Sequence, residues 1–439
     1  MPVRGAIFDC DGTILDSMPM WTETCVELLR NYGVADAERI FAEHESLDMD
    51  KKCYWYHDHL GIGSSGDALY RELWAMVEQA YAERVAPFEG CAAFLQELRS
   101  AGVSMVIASS TPTEMLRYAL GAHGLLEYFD EIIFAGDVGR GKEHPDVYLA
   151  AQERLGTPRG ETWVFEDAPF GVRSAARVGF PVVAILNDHD GRDESFLQTW
   201  ATVVSYGYEG LSLASLHDLQ PKTFGALIVG GSPEPSSAEL VRRLAQKAEY
   251  VIAADAGADV LMAAGVTPDL FCGDEDSVSD AVRCWAEANA GFVERYPAEK
   301  DDSDLGLAFS LARREAERRG ACMRVVVTCV SGGRPDHALG VWGVLARHAD
   351  VAPRVVEDGF ECRILSREGV PVWRRPASVG QTVSAIALVS DAVVSEVGFR
   401  WALDHDRLAP LSDLGISNKA VTNECVVSCH AGTLAVFRV

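Results

Sequence analysis

The stretch Ala6–Ser17, "AIFDCDGTILDS", decides how the first half of this chain is read. An apolar run of strand character ends at Asp9, a second carboxylate follows at Asp11, and Gly12-Thr13 turns the backbone away. Open parallel sheets carry their ligand chemistry just beyond the carboxyl ends of their strands. Two neighbouring acids at such an end suit a site that gathers a cation or offsets an anion.

Four more apolar runs follow, "SMVIASS", "EIIFAGD", "TWVFED" and "FPVVAIL", separated by helical patterns. They read as buried parallel strands of a Rossmann-like sheet. An insert from about Asp16 to Pro87 has helical periodicity and many aromatics (Trp21, Tyr54, Trp55, Tyr56, Trp74). It reads as a helical cap over the core. The strand ends then present Asp9 with Asp11, Ser109, Lys142 in "GRGKEHPDVY", and Glu166-Asp167 in "VFEDAPFGV". Each taken alone is weak, because a strand-terminal Asp commonly caps a helix and a single Lys is usually solvated. In series they suit phosphoryl transfer. A carboxylate attacks phosphorus only where the phosphate charge is offset, here by Mg²⁺ among Asp9, Asp11, Glu166 and Asp167, with Lys142 and the Ser109 hydroxyl on the remaining oxygens. Asp11 is also the candidate to protonate the leaving oxygen and then activate water.

The whole chain has 439 residues, 48% hydrophobic and 24% charged, which allows two or three cores of an ordinary globular protein. Its net charge of −26 argues against a nucleic-acid surface. No apolar run approaches the ~18 residues of a membrane span, and no basic-then-apolar leader follows Met1. The eleven cysteines are scattered without CxxC pairs, and predict free thiols in a reducing cytoplasm.

Composition shifts at "SYGYEGLSLASLHDLQPKTFG", placing a boundary near Pro221. The expected organisation is residues 1–220 with a cap at about 16–87, a second α/β domain over 221–350, and an all-β domain, a small sandwich or barrel, over 351–439. Within 221–350, Asp255 ends the strand-like "EYVIAAD", and "TPDLFCGDEDS" repeats the device with Gly273, Asp274 and Asp276. "AEKDDSDLGLAFSLARREAERRG" then puts Lys300, Asp301, Asp302 and Asp304 before or at a helix start, where the backbone dipole alone also favours acids. "VSGGRPDHALG" offers Gly332-Gly333 beside Arg334, Asp336 and His337, an anion-binding turn with a guanidinium. No GxxxxGK[ST] loop exists, so a nucleotide here would be held by metal and acids.

The first half, with all its strand-end motifs, resembles the haloacid dehalogenase superfamily of phosphohydrolases in its helical-cap subgroup. That resemblance implies an aspartyl-phosphate at Asp9, acid/base work at Asp11 and a phosphate monoester substrate. Thr13 looks like the phosphatases more than the sugar-phosphate mutases. Residues 222–439 resemble thiamine pyrophosphokinase through "GDEDS", "YPAEKDDSDLGLA", "SGGRPDH", "GFRWAL" and "LGISN". This implies Mg²⁺ and ATP held by Asp274, Asp276 and Asp304 with Asp301 or Asp302 beside them. It also implies thiamine against Ser417-Asn418 in a cleft shared by a homodimer built through the C-terminal half. Lys300 and Arg334 would neutralise charge, Asp276 or Asp304 would take the thiamine proton, and Trp401 is placed to stack on a thiamine ring. The chain departs from that family at Ala256, Asp259 and Val341, where Gly or Asn is usual. The combined expectation is a phosphatase fused to a diphosphotransferase, with thiamine monophosphate as the front substrate. The rival expectations are a sugar-phosphate phosphatase or mutase in front, and a thiamine- or nucleotide-sensing module behind.

Overall fold

Strand β1 (Gly5–Phe8) is buried throughout and lies between β2 (Ser104–Ser109) and β4 (Thr162–Glu166), each pairing parallel to it. The structure is a computed structural model that describes residues 2–44, 47, 49–186, 193–217, 219–273, 278–297 and 302–439. The chain divides into two compact units, Met1–Pro221 and Lys222–Val439.

In the first unit β3 (Glu131–Phe134), β5 (Val182–Leu186) and β6 (Val203–Tyr206) complete a parallel sheet in the order β3-β2-β1-β4-β5-β6. Apolar clusters cover both of its faces, which is why its central strands read as unbroken apolar runs. The direction of winding switches between β1 and β4, so their carboxyl ends frame the crevice where such sheets bind ligands. β6 was not among the expected strands; it is a short, half-exposed edge. Among the described residues the cap holds four helices: α1 (Met18–Asn31), α2 (Ala37–Glu43), α3 (Met49–Leu60) and α4 (Gly66–Glu83). In α4, Leu69, Leu73, Val77 and Ala80 recur at helical spacing and are buried, and the Ser65 hydroxyl caps its start by accepting from Ala68 N–H. The chain leaves and re-enters the core side by side, with Asp16 N–H on Ala86 O and Phe88 N–H on Ile14 O, both 2.9 Å.

Among the described residues the second unit has fourteen strands in two sheets, one of ten and one of four. β7 (Thr223–Val229), β8 (Tyr250–Ala254), β9 (Leu270–Gly273), β10 (Phe292–Arg295), β11 (Cys322–Thr328) and β12 (Arg354–Val356) are parallel. β13 (Glu361–Ser366) turns back antiparallel on β12. A separate antiparallel sheet holds β14 (Val372–Pro376), then β16 (Ala392–Val397), β17 (Leu403–Leu408) and β19 (Glu424–Ala431), with β15 (Thr382–Ala387), β18 (Asn418–Lys419) and β20 (Thr433–Arg438) staying in the large sheet. The large sheet runs in the order β10-β9-β8-β7-β11-β12-β13-β20-β15-β18 and the small one β14-β19-β16-β17. The C-terminal strands thus form a sandwich over one core, but one of its two sheets continues the parallel sheet without a break. β17, "LDHDRL", is a strand the sequence pattern hides because its inner positions are polar.

Candidate active sites

In the first unit the expected strand-end groups converge. Asp9, Glu166 and Asp167 are buried, and one carboxylate oxygen from each lies within 4.8 Å of the others. Lys142 Nζ, 3% exposed, donates to Asp9 Oδ1 at 2.5 Å and to Glu166 Oε1 at 2.6 Å. Tyr148 adds its hydroxyl to Glu166 Oε1 at 2.7 Å, and the Ala168 N–H holds Oε2 at 3.0 Å. Gly12 has φ +79, and a Cβ there would collide with the Asp167 carboxylate. The "DGT" turn therefore requires glycine twice over, for its dihedral and for its space.

Burial is the main force on Asp9 and pushes its carboxyl up to about 7, with Lys142 opposing and Glu166 reinforcing. Burial alone would lower Lys142, but Asp9 and Glu166 more than reverse it and hold the ammonium charged. Three buried carboxylates against one ammonium leave excess negative charge. Hard oxygens in that number suit a small divalent cation such as Mg²⁺, and the residues present fit it.

Asp11 stands apart from those three. Its Oδ1 accepts from Ser17 (2.6 Å), Tyr81 (2.5 Å) and Trp21 Nε1 (3.4 Å), and its Oδ2 from Thr111 (2.7 Å). Burial first, and then Asp11 itself, push the Tyr81 phenol well up, so it stays a donor. Ser109 is buried, and its oxygen accepts from Thr111 N–H at 3.1 Å, which leaves its own proton to give. Sequence reasoning singled out neither Thr111 nor Tyr148, and read Trp21 only as a cap aromatic. Ser17 closes the opening motif and Thr111 follows Ser109 by two residues, so both lay within reach of a closer reading. Tyr81 did not.

In the second unit Asp274, Glu275, Asp276, Lys300 and Asp301 lie outside the described residues. Asp255 follows β8 with φ +46 and is 9% exposed; a Cβ on Gly273, at the end of β9, would stand 3.0 Å from its Cα. Asp304 opens the helix Asp304–Arg318, whose Ser303 cap accepts from Gly306 N–H at 3.2 Å. Asp302 instead accepts from Arg347 at 2.8 Å.

The loop after β11 carries Cys329, Gly332 and Gly333 at positive φ. Glu357, which was not anticipated, fixes its base by accepting the N–H groups of Cys329 and Val330, both at 3.0 Å, and the Ser236 hydroxyl at 2.5 Å. Arg334 and Asp336 are exposed and paired at 2.7 Å, and the Arg334 hydrogen bond holds Asp336 down at about 2. His337, in the same first helical turn, is exposed. A cavity of about 450 Å³ opens beside Gly332, walled by Trp342, Phe360 and Phe437, with Val341 and Ser384 among its lining.

Trp401 is 58% exposed, with the Arg400 guanidinium 5.8 Å from its ring centre. Ser417, at φ +60, donates its N–H to Ser384 Oγ at 2.9 Å. Asn418 is 3% exposed and fully engaged: its NH₂ donates to Glu396 and Trp401 O, and its carbonyl accepts from Trp401 and Lys419 N–H. In this arrangement Asn418 shapes the loop that carries Trp401.

Among the described residues no helix is long and apolar enough to cross a membrane. The eleven cysteines are free thiols.

Residues 3–179 match the haloacid dehalogenase-like hydrolases, and residues 241–356 match the thiamin pyrophosphokinase catalytic domain. Validoxylamine A 7'-phosphate phosphatase of Streptomyces hygroscopicus subsp. limoneus is 30% identical over 185 residues, 42% of this chain and 86% of that protein. Hexitol phosphatase A of Escherichia coli is 30% identical over 189 residues, 42% of this chain and 84% of that protein. A thiamine pyrophosphokinase structure from Bacillus subtilis is 24% identical, covering 49% of this chain and 98% of its own, with a TM-score of 0.41. The chain belongs to the haloacid dehalogenase-like hydrolases through its first half, and its second half carries a thiamin pyrophosphokinase catalytic domain.

Proposed function

We propose that the chain is a bifunctional enzyme of thiamine phosphates. The rear unit transfers a diphosphate from ATP to the hydroxyethyl oxygen of thiamine and releases AMP. The front unit hydrolyses a phosphate monoester, thiamine monophosphate, to supply that alcohol. A phosphorylated hydroxyl cannot attack the β-phosphorus until it is freed, and tethering raises the local supply of the product.

The observation that supports this reading is the buried Asp9, Lys142, Glu166 and Asp167 set with Asp11 beside it, in one chain with a thiamin pyrophosphokinase domain. Asp9 is the nucleophile, and Lys142 and Ser109 face the transferring oxygens. Asp11, held by its four donors, gives a proton to the leaving oxygen and takes one from water. A bound Mg²⁺ at either site would offset phosphate charge. Behind, Asp274, Asp276 and Asp304 would hold Mg²⁺ and the triphosphate, with Asp255, Asp301, Asp302 and Lys300 contributing. Arg334, Asp336 and His337 take the phosphate end, and Trp401, Ser417 and Asn418 frame thiamine in a homodimer.

The test uses the full chain with Mg²⁺, ATP and thiamine. AMP release that depends strictly on thiamine is expected, and AMP release without thiamine refutes the rear assignment. Phosphate release is then compared across thiamine monophosphate and hexitol phosphates. A second reading, a sugar- or polyol-phosphate phosphatase in front, draws on the name of the Escherichia coli relative. A higher kcat/KM on hexitol phosphates would establish it in place of thiamine monophosphate.

A further inference from the structure

The chain holds 39 Lys and Arg against 65 Asp and Glu, yet arginines gather at one rim of the second unit. Strand register puts them there. Arg354 of β12 stands directly opposite Arg363 of β13. Val326 of β11 pairs with Arg354, so Arg324, two residues earlier, shares that face. The same face of the sheet carries Leu365, Val383, Ala385 and Val436 into the sandwich core. On the opposing sheet Trp373 of β14 is buried in that core, and Arg375, two residues on, points the same way. Packed sheets stand about 10 Å apart. Arg363 and Arg375 therefore enter one gap from opposite walls.

Acids do not balance them. The Glu361 carboxylate is taken by Arg354 at 2.9 and 3.1 Å. Glu249, the other acid near this face, accepts from Gly225 N–H at 3.1 Å and lies 3.9 Å from Arg319. Arg375 donates to the Arg374 carbonyl at 3.2 Å. Among the described residues no hydrogen bond or ion pair reaches the guanidinium of Arg363 or Arg324. Burial, then Arg354, Arg324 and Arg375, push Arg363 down to about 10, still well within the charged range at neutral pH. Inward charge on an edge strand deters strand addition, and β14 is an edge. That reason does not extend to Arg363, because β13 is flanked on both sides by β12 and β20. A partly buried guanidinium crowded by its own kind is costly unless an anion joins it.

We infer that this rim is a binding site for a compact oligophosphate, gripped by Arg363 and Arg375 from opposite sheets with Arg324 and Arg354 beside them. Guanidinium forks match pairs of phosphate oxygens, and four guanidiniums against one carboxylate call for an anion of several charges. The rim is distinct from the Gly332–Arg334 loop. Arg324 lies in the first half of β11, whereas that loop follows its carboxyl end.

Thermal unfolding of the full chain in EDTA, titrated with inorganic triphosphate, tests the inference with divalent metal removed from both candidate active sites. A saturable rise in the melting temperature is expected. Arg363→Met and Arg375→Met should each weaken triphosphate about tenfold or more, the size of one charge-assisted hydrogen bond. Without ligand they should melt at or above the wild type, because like charges have been relieved. ATP should bind comparably and citrate far more weakly. The inference is overturned by any of three results: no rise in the wild type, an undiminished rise in the two variants, or loss of the rise in Arg334→Met instead. Equal binding of citrate would also overturn it. If Arg363→Met does not fold, exposed Arg324→Met must show the weakened response.

Discussion

Lys142→Met isolates the charge balance of the front site. The ammonium is 3% exposed and lies 2.5 and 2.6 Å from two buried carboxylates. Methionine keeps most of the volume and removes the charge, leaving Asp9 and Glu166 facing each other. Breaking a buried pair by removing one partner costs about 3–5 kcal/mol. At about 2–4 °C per kcal/mol for a unit of this size, the first unit should melt roughly 6–20 °C lower at pH 8 in EDTA. The pH arm has a definite sign. Asp9 is already raised from 3.8 to about 7, chiefly by burial, so its contribution to stability is fully present below about pH 4 and lost as pH rises through 7. Losing Lys142 raises it further, so the deficit should shrink as the buffer is brought from pH 8 to pH 5. Mg²⁺, which supplies the missing positive charge, should also shrink it. Scanning calorimetry of the full chain with and without Mg²⁺ reads all three arms. A variant melting within about 2 °C of the wild type at pH 8, or a deficit indifferent to both protons and Mg²⁺, would refute the charge argument.

Two further outcomes are expected. Tyr81→Phe removes a 2.5 Å donor from Asp11 with little change of volume. A hydrogen bond to a charged group contributes about 1.5–3 kcal/mol, so phosphate release should slow roughly ten- to hundredfold in kcat. A change confined to KM would show that Tyr81 does not position Asp11. Glu396 is raised to about 7 by burial, with its Asn418 hydrogen bond opposing. Its contribution to stability is present below about pH 4.5 and fades as pH climbs through 7, up to roughly 3 kcal/mol. Glu396→Gln should flatten the fall in the urea midpoint of the second unit between pH 5 and pH 8, and an unchanged slope would remove Glu396 as its source.

What could be read in advance followed from how far each feature reaches along the chain. Asp9, Ser109 and Glu166-Asp167 were legible because a strand end advertises itself locally, as an apolar run stopping at a polar residue, whereas Lys142 lies in the turn beyond the end of β3. The sheet order then converts those scattered ends into one crevice. Tyr81 was not legible as a partner of Asp11, since it lies 70 residues from it and nothing in its own neighbourhood marks it. β17 stayed hidden because only its ends are apolar. The C-terminal sheet was read as a separate body because a three-residue β12 looks the same whether it starts a new sheet or extends an old one.

The arginine rim shows the same limit in sharper form. Alternation along β13 sets Arg363 with Leu365 on one face and Cys362 with Ile364 on the other, and both faces contain apolar residues. Either face could have been outward until the pairing with β12 and β20 was known, and both are in fact covered. A strand interior to the large sheet, with a core on each side, leaves no solvent face to which a guanidinium can retreat. Arg363 can reach only the sandwich rim, and Arg375 meets it there from the opposing sheet. An anion is the partner that would make that meeting favourable.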